Sequence, residues 1–439
     1  MTYTSVDLLG IGFGPAGISF AAAIEDHIEA TGTSPVGSFR FLEAGSDCRW
    51  QGELLFRHAD INHSALRDLV TPRNPRSFYS FANYLKKKGR LYSFGLTGRP
   101  VNRIEWSDYV AWAGELLAGN TSFGTAVTAL TPSAEVDGKW TRIRARTSTG
   151  EEIEAGRLVL STGARPNIPE IYRPHLGARV FHTGEFATRV NAIADPSTVR
   201  RVAVIGSGMS AGEIALDFRT RFPESDVHCV HRSHGFRLND LSNFSSEVYS
   251  PAETDYVHGL PREARKAILA ESWQTNYAGL DADGSSELYN TMYLDEVEGR
   301  PRIFMEKRTH VTAVDVEGQN VVLSLRDPHT GEGKSLSFDL VVIATGFRVD
   351  PMAGPLGDLA EHIELDADGM PVVSRAYKVA TKPSMGAEIY LNGQCEHSHG
   401  ISDAQSFSLL ADRSGWILED MMAPEIRAAP AVRQPAEVG

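Results

Sequence analysis

At 439 residues the chain is too long for one ordinary core, so two or three domains are expected. Its composition, 42% hydrophobic and 23% charged, is globular, and a formal net charge of -13 argues against nucleic acid, which needs a cationic surface. No apolar run approaches the roughly 20 residues that cross a bilayer, and the first residues enter a strand so soon that no signal peptide fits, which predicts a cytoplasmic protein.

Residues 6–11 read as a buried strand, followed by Gly12-Phe13-Gly14-Pro15-Ala16-Gly17 and a helix over 16–28. A second strand over 38–42 ends on Glu43. Strand, glycine turn, helix, strand and acid is the order of a dinucleotide-binding unit. Gly12 permits the tight turn, Gly14 lets the backbone approach a pyrophosphate, and Gly17 lets helix and strand pack closely. The helix N-terminus supplies N–H groups and a positive dipole end, and Glu43 is placed to accept from ribose hydroxyls. Lys86-Lys87-Lys88 reads as a solvated face near a helix end. Strands are expected over 144–147 and 152–160 around a Thr149-Gly150 turn.

The same order then returns, with a strand over 201–205 leading into Gly206-Ser207-Gly208-Met209-Ser210-Ala211, the GxGxxA variant. A helix runs to about Phe222 and a strand over 227–230 ends in His231-Arg232-Ser233, with no acid. A carboxylate there would repel the 2′-phosphate of NADP, whereas arginine pairs with it. Arg232 is therefore the lead contact for that phosphate, with Ser233 as a helper. Two apolar strands that end in Thr-Gly, at Thr162-Gly163 and Thr345-Gly346, bracket this second unit. Residues 238–298 look mainly helical, 311–326 and 336–344 return to strand, and 423–439, rich in Ala and Pro, predicts a flexible tail. Cys48, Cys229 and Cys395 lie far apart with neither CxxC nor metal spacing, and the histidines form no HExxH, so neither a redox disulfide nor a metal site is expected.

Several stretches go beyond a general dinucleotide fold: Leu66-Arg67-Asp68-Leu69-Val70-Thr71-Pro72-Arg73-Asn74-Pro75, Ser246-Glu247-Val248-Tyr249-Ser250-Pro251, Thr275-Asn276-Tyr277 and His399-Gly400-Ile401-Ser402-Asp403. From about Leu8 to Leu410 the chain resembles the N-hydroxylating flavin monooxygenases of siderophore pathways, the ornithine and lysine N-monooxygenases. The resemblance implies an α/β fold with two Rossmann-like domains and a smaller, mainly helical substrate region. The expected divisions are 1–165 with 335–422 for FAD, 166–237 with 300–334 for NADPH, and 238–299 for substrate. It implies molecular oxygen as co-substrate, a C4a-hydroperoxyflavin as oxidant, a hydroxylamine product, and a homo-oligomer, commonly a tetramer. No side-chain nucleophile or metal is required, because the flavin does the oxygen chemistry.

Carried over residue by residue, FAD falls to Gly12, Gly14, Pro15, Gly17, Glu43, Trp50, Asn62, His399 and Gly400. NADPH falls to Gly206, Ser207, Gly208, Met209, Ser210, Ala211, Glu213, Arg232 and Ser233. Substrate falls to Arg67, Ser246 and Asn276, with Asn62 and Asn276 closest to the flavin and the reacting amine. The family usually has lysine at Arg67, asparagine at Ser246, glutamine at Asn62, histidine at Gln51 and often asparagine at Gly17. Arg67 still offers a cationic fork for a carboxylate, which favours an L-ornithine-like amino acid over a diamine. The alternatives are a diamine, a sulfur or ketone substrate, or an uncoupled NADPH oxidase or binding protein. His182, in Val180-Phe181-His182-Thr183-Gly184-Glu185-Phe186, is either a linker residue beside the NADPH domain or an ordinary loop histidine. A helix beginning near Asp403 is expected to aim its N-terminus at the flavin ring.

Overall fold

The computed structural model describes residues 4–277 and 279–423. The strand Thr4–Ile11 is central to the first sheet, and from Val6 onward most of its residues are buried. It pairs in parallel with Phe39–Leu42 on one side and Glu152–Leu160 on the other. Thr121–Ser122 and Glu388–Leu391 extend the parallel part, and the antiparallel hairpin Val127–Val136 and Lys139–Thr147 completes seven strands. The helix Pro15–Thr31 opens on a proline whose ring already holds the helical φ, and it closes on Gly32 at φ 76°, whose N–H bonds Ile28 O. Its buried face, including Ile18, Phe20 and Ile24, packs into the same core as the strands.

The second sheet has five parallel strands, in the order Ile303–Glu306, Asp226–Val230, Arg201–Ile205, Leu340–Ile343 and Val180–His182. The helix Met209–Arg221 packs on it through Ile214, Ala215 and Phe218. A three-stranded antiparallel sheet, His310–Glu317, Asn320–Arg326 and Gly333–Phe338, lies beside it. Between the halves of this domain come four short helices, Pro251–His258, Arg262–Glu271, Trp273–Asn276 and Ala282–Val297. Cys229 is fully buried and burial pushes its thiol up to about 12, which suits an inert core residue.

The structure corrects two expected positions. The return to the first domain was expected at residue 335, but Leu340–Ile343 lies inside the second sheet, paired with Arg201–Ile205 and Val180–His182. An apolar strand that must be covered on both faces carries no mark of which sheet receives it. The return comes at Gly346, φ 76°. The helix expected near Asp403 is instead a single 3-10 turn, Ile401–Asp403, and the long helix begins only at Leu410. The tail expected from residue 423 lies, from 424 on, outside the described residues. No helix of the described residues is long and apolar enough to cross a membrane.

Candidate functional site

At the C-terminal edge of the first sheet, Gly12 has φ 96°, and a Cβ there would stand 2.4 Å from Ser161 O. Gly17 is equally confined, since its Cβ would meet Gly12 O at 2.3 Å. Gly14 is different, because nothing lies within 4 Å of where its Cβ would be. Two glycines thus pull the turn tight and the third leaves open space before a helix N-terminus, the geometry in which a pyrophosphate can meet backbone N–H groups. Glu43 accepts from Phe13 N–H at 2.6 Å and Gly45 N–H at 2.7 Å. It braces the turn and keeps lone pairs for further donors.

The second glycine turn repeats the design. Gly206 has φ 143° with its Cβ position 2.2 Å from Ala344 O, and Gly208 faces open space. This turn opens into a cleft of about 1470 Å³ between the domains. Its wall brings together Gly206, Ser207, Gly208, Met209, Ser210, Arg232 and Ser233 from the second domain with Trp50, Asn62 and Arg67 from the first. Ser246 and Asn276 from the helical region face the same space. Gly12, Gly14, Pro15, Gly17 and Glu43 lie outside that wall, at the edge of the first sheet.

The linkers form the floor of the cleft. Arg165–Pro166 pairs antiparallel with Phe347–Arg348. Asn167 N–H donates to Gly346 O at 2.9 Å, and Thr345 Oγ1 donates to Asn167 O at 2.5 Å. His182 is buried, with Nε2 2.9 Å from Gly346 O and Nδ1 accepting from Gly184 N–H at 3.1 Å. Of its two readings, the linker role is the one this geometry supports.

On the substrate-side wall, Arg67 Nη1 donates to Ser408 Oγ at 3.2 Å, and its guanidinium carbon lies 5.9 Å from the centre of the Tyr249 ring. The Tyr249 hydroxyl donates to Asn276 Oδ1 at 3.1 Å. Next along the chain, the Tyr277 hydroxyl donates to Glu396 Oε1 at 2.5 Å. Burial pushes the Glu396 carboxyl up to about 7, the Tyr277 bond pulling it down and the nearby Asp403 adding to the rise. Burial also holds the His63 imidazole down to about 4, so this ring on the cleft wall is neutral at neutral pH. It packs between Phe407 and Trp106.

Four further expected contacts, Ala211, Glu213, His399 and Gly400, are not on the cleft wall. Glu213 turns away from the glycine loop and forms a buried two-point ion pair with Arg103 at 2.8 and 2.6 Å. It sits on the face of its helix that meets the first domain, not on the N-terminal turn. Ala211 is buried beneath the loop, where it lets the helix pack close. His399 is buried with its ring stacked 3.9 Å from that of Tyr377, and Gly400 lies against Val257. Both are absent from the cleft wall, which this segment reaches only with Gln405, Ser406, Phe407 and Ser408. Tyr249, Tyr277, Glu396 and His63 were not singled out from the sequence. Tyr249 and Tyr277 stand inside the stretches that carried the resemblance, which was the only available signal.

The family model described as L-lysine 6-monooxygenase/L-ornithine 5-monooxygenase matches residues 4–349. An L-ornithine N(5)-monooxygenase of Burkholderia cepacia is 34% identical over 407 residues, covering 90% of each chain. The solved Kutzneria sp. 744 ornithine N-hydroxylase, in a form named for reduced FAD, NADP+ and L-ornithine, superposes with a TM-score of 0.88 at 32% identity, covering 95% of this chain and 99% of that one. An L-lysine 6-monooxygenase from Pseudomonas syringae gives a TM-score of 0.85 at 41% identity over the same shares.

Proposed function

Since the chain belongs to the L-lysine 6-monooxygenase/L-ornithine 5-monooxygenase family and is a flavin monooxygenase of the N-hydroxylating type, we propose that it binds FAD at the Gly12 turn and NADPH at the Gly206 turn and hydroxylates the terminal amine of an L-ornithine-like amino acid. The observation that carries this reading is the single cleft onto which the second glycine turn, Trp50, Asn62 and the wall of Arg67, Ser246 and Asn276 all open. Both turns fit a dinucleotide, because each has one glycine facing open space ahead of a helix N-terminus. When bound, the flavin supplies reduction by NADPH, activation of oxygen and transfer of one oxygen atom to the amine. The chain's own work is to bind, orient and exclude water.

Arg67 is assigned the substrate carboxylate. Its Nη1 is steadied by Ser408, and the remaining N–H groups are free to form a bidentate pair. Ser246 and Asn276 complete the amino-acid end, and the Tyr249 hydroxyl fixes the Asn276 amide by donating to its oxygen. Arg67→Ala is expected to raise KM for the amino acid 100-fold or more, as for loss of a charge-assisted pair of about 3 kcal/mol, and to leave the basal NADPH oxidation rate unchanged. Equal loss of turnover on a diamine would overturn the carboxylate role. L-lysine is a second reading, favoured by the 41% identity with the lysine enzyme.

Arg232 is assigned the 2′-phosphate. It is exposed on the cleft wall just past the strand Asp226–Val230, while the hydroxyl of Ser233 already donates to Gly235 O at 2.9 Å. Arg232→Ala is expected to cut the preference for NADPH over NADH about 10- to 100-fold in kcat/KM. An unchanged ratio would move the phosphate elsewhere. The overall test measures hydroxylamine, NADPH loss and peroxide together over ornithine, lysine, shorter diamino acids and diamines. Substrate-stimulated NADPH loss yielding only peroxide would sink the oxygen-transfer reading.

A further inference from the structure

An amine can attack an oxidant only through a free lone pair, yet a terminal alkylamine with a pKa near that of lysine, about 10, arrives at neutral pH as an ammonium ion. A site that uses such a substrate has to dispose of one proton. The cleft wall holds one arrangement of groups suited to it. Tyr277 lines the cleft directly after Asn276, and behind it Glu396 accepts the tyrosine O–H at 2.5 Å. Among the described residues no cation lies within ion-pair distance of Glu396, so its carboxyl has no positive partner of its own. The groups around it are Tyr277 and Tyr249 on the cleft side, Asp403 on the following turn, His397 on its own turn, and Arg265 and His258 on the helices packed against that turn. Asp403 is already paired with Arg413. Arg265 donates to Leu260 O at 2.9 Å, and the Nε2 atoms of His258 and His397 lie 3.1 and 2.9 Å from the Val373 and Pro371 carbonyls.

We propose that Tyr277 and Glu396 form a proton-accepting pair for the substrate ammonium, an inference that rests on the N-hydroxylation reading above. The Tyr277 oxygen, its own hydrogen turned towards Glu396, offers lone pairs to a donor in the cleft. One ammonium proton passes to that oxygen as the tyrosine proton passes to the carboxylate. The N–H bond breaks heterolytically, the electron pair stays on nitrogen, and the products are a neutral amine and a neutral carboxylic acid. No oxidant or reductant enters this step, and the acid returns its proton to solvent before the next substrate. Glu396 is tuned for the role, since burial brings its carboxyl up to about 7, close to neutral pH, where a general base works best. The Tyr249 hydroxyl, which donates to Asn276, sits beside this pair and holds the neighbouring substrate contact in place.

The test is the pH dependence of kcat/KM for hydroxylamine formation by the holoenzyme, from pH 5.5 to 10. In the unaltered protein the value should fall about tenfold per pH unit below a midpoint near 7, because a protonated Glu396 cannot accept. In Glu396→Gln the midpoint near 7 should vanish, and the value should rise about tenfold per pH unit all the way towards the amine's own pKa, about 10, as only the neutral amine is then productive. Tyr277→Phe should do the same while leaving the carboxyl in place. A binding measurement supplies a readout apart from turnover: calorimetry of L-ornithine binding at pH 7 in two buffers of different ionisation heat. Binding should release part of a proton in the unaltered protein and none in Glu396→Gln. A limb that persists with its midpoint near 7 in both variants, or the same proton release without Glu396, overturns the pair while leaving hydroxylation intact. Absence of hydroxylamine from the unaltered protein overturns both.

Discussion

Gly14→Ala is expected to yield a protein that folds with only a small loss of stability but is purified without FAD. Gly14 is the N-cap of the first helix at φ −75° and ψ −167°, a conformation any residue adopts, and its Cβ would meet nothing within 4 Å. The added methyl therefore meets no clash, and the empty fold loses only the difference between a glycine and an alanine N-cap, about 0.5–1 kcal/mol. It does occupy the space that we assign to the pyrophosphate. Loss of close backbone approach should weaken FAD by 100-fold or more, about 2.8 kcal/mol. Gly12→Ala is the contrasting case. Its φ of 96° and the Ser161 carbonyl 2.4 Å from the new Cβ act on the fold itself, with or without cofactor. Flavin content read from absorbance, together with thermal unfolding of both variants, separates the two effects. Full flavin in Gly14→Ala would mean the pyrophosphate does not lie there.

Arg103→Ala should give the largest loss of stability of any single side-chain truncation at the domain seam. Arg103, the first residue of the helix Arg103–Leu117, meets Glu213 of the second domain in a two-point pair and also donates to Leu54 O at 3.1 Å. Each of the two paired side chains is only 8% exposed. Removal of the arginine strands a buried carboxylate, which costs about 3–5 kcal/mol. Arg189→Ala, which breaks an exposed pair with Glu185 within one helical turn, is the control and should cost no more than about 0.5 kcal/mol. Replacing both partners, as in Arg103→Met with Glu213→Leu, should destabilise less than Arg103→Ala alone, since no charge is left unpaired. Urea unfolding measures all three. A cost below about 1 kcal/mol for Arg103→Ala would show that the seam does not depend on the pair.

Much of this site was legible because its chemistry is written in backbone. Gly12, Gly17 and Gly206 must be glycine for steric reasons that spacing alone reveals, and the strands on either side predict where the turns fall. Arg67, Ser246 and Asn276 were legible only through resemblance, and they do face one cleft. What failed depended on which way a side chain turns. Glu213 follows the second loop closely enough to suggest a cofactor contact, but its position on the helix aims it at Arg103, a residue of another domain. His399 lies in a stretch typical of the family and is nevertheless enclosed by Tyr377, Ser398 and the Arg375 carbonyl. Leu340–Ile343 could have served either sheet, since an apolar strand of four buried residues pairs with whichever edge is offered. The Tyr277–Glu396 bond spans 119 residues, a juxtaposition that no local pattern contains.

The laced linkers also bear on how the chain assembles. The second domain is an insertion whose two ends leave side by side, held by Arg165–Pro166 against Phe347–Arg348 and by Asn167 against Thr345. The first sheet needs Glu388–Leu391 to find Glu152–Leu160 across that entire insertion. For an unfolded loop, closure entropy rises by about 0.6 kcal/mol with each doubling of length. A folded insertion with adjoining ends acts as a short connection instead. Completion of the second domain thus turns the most distant strand pairing of the first into an almost local one.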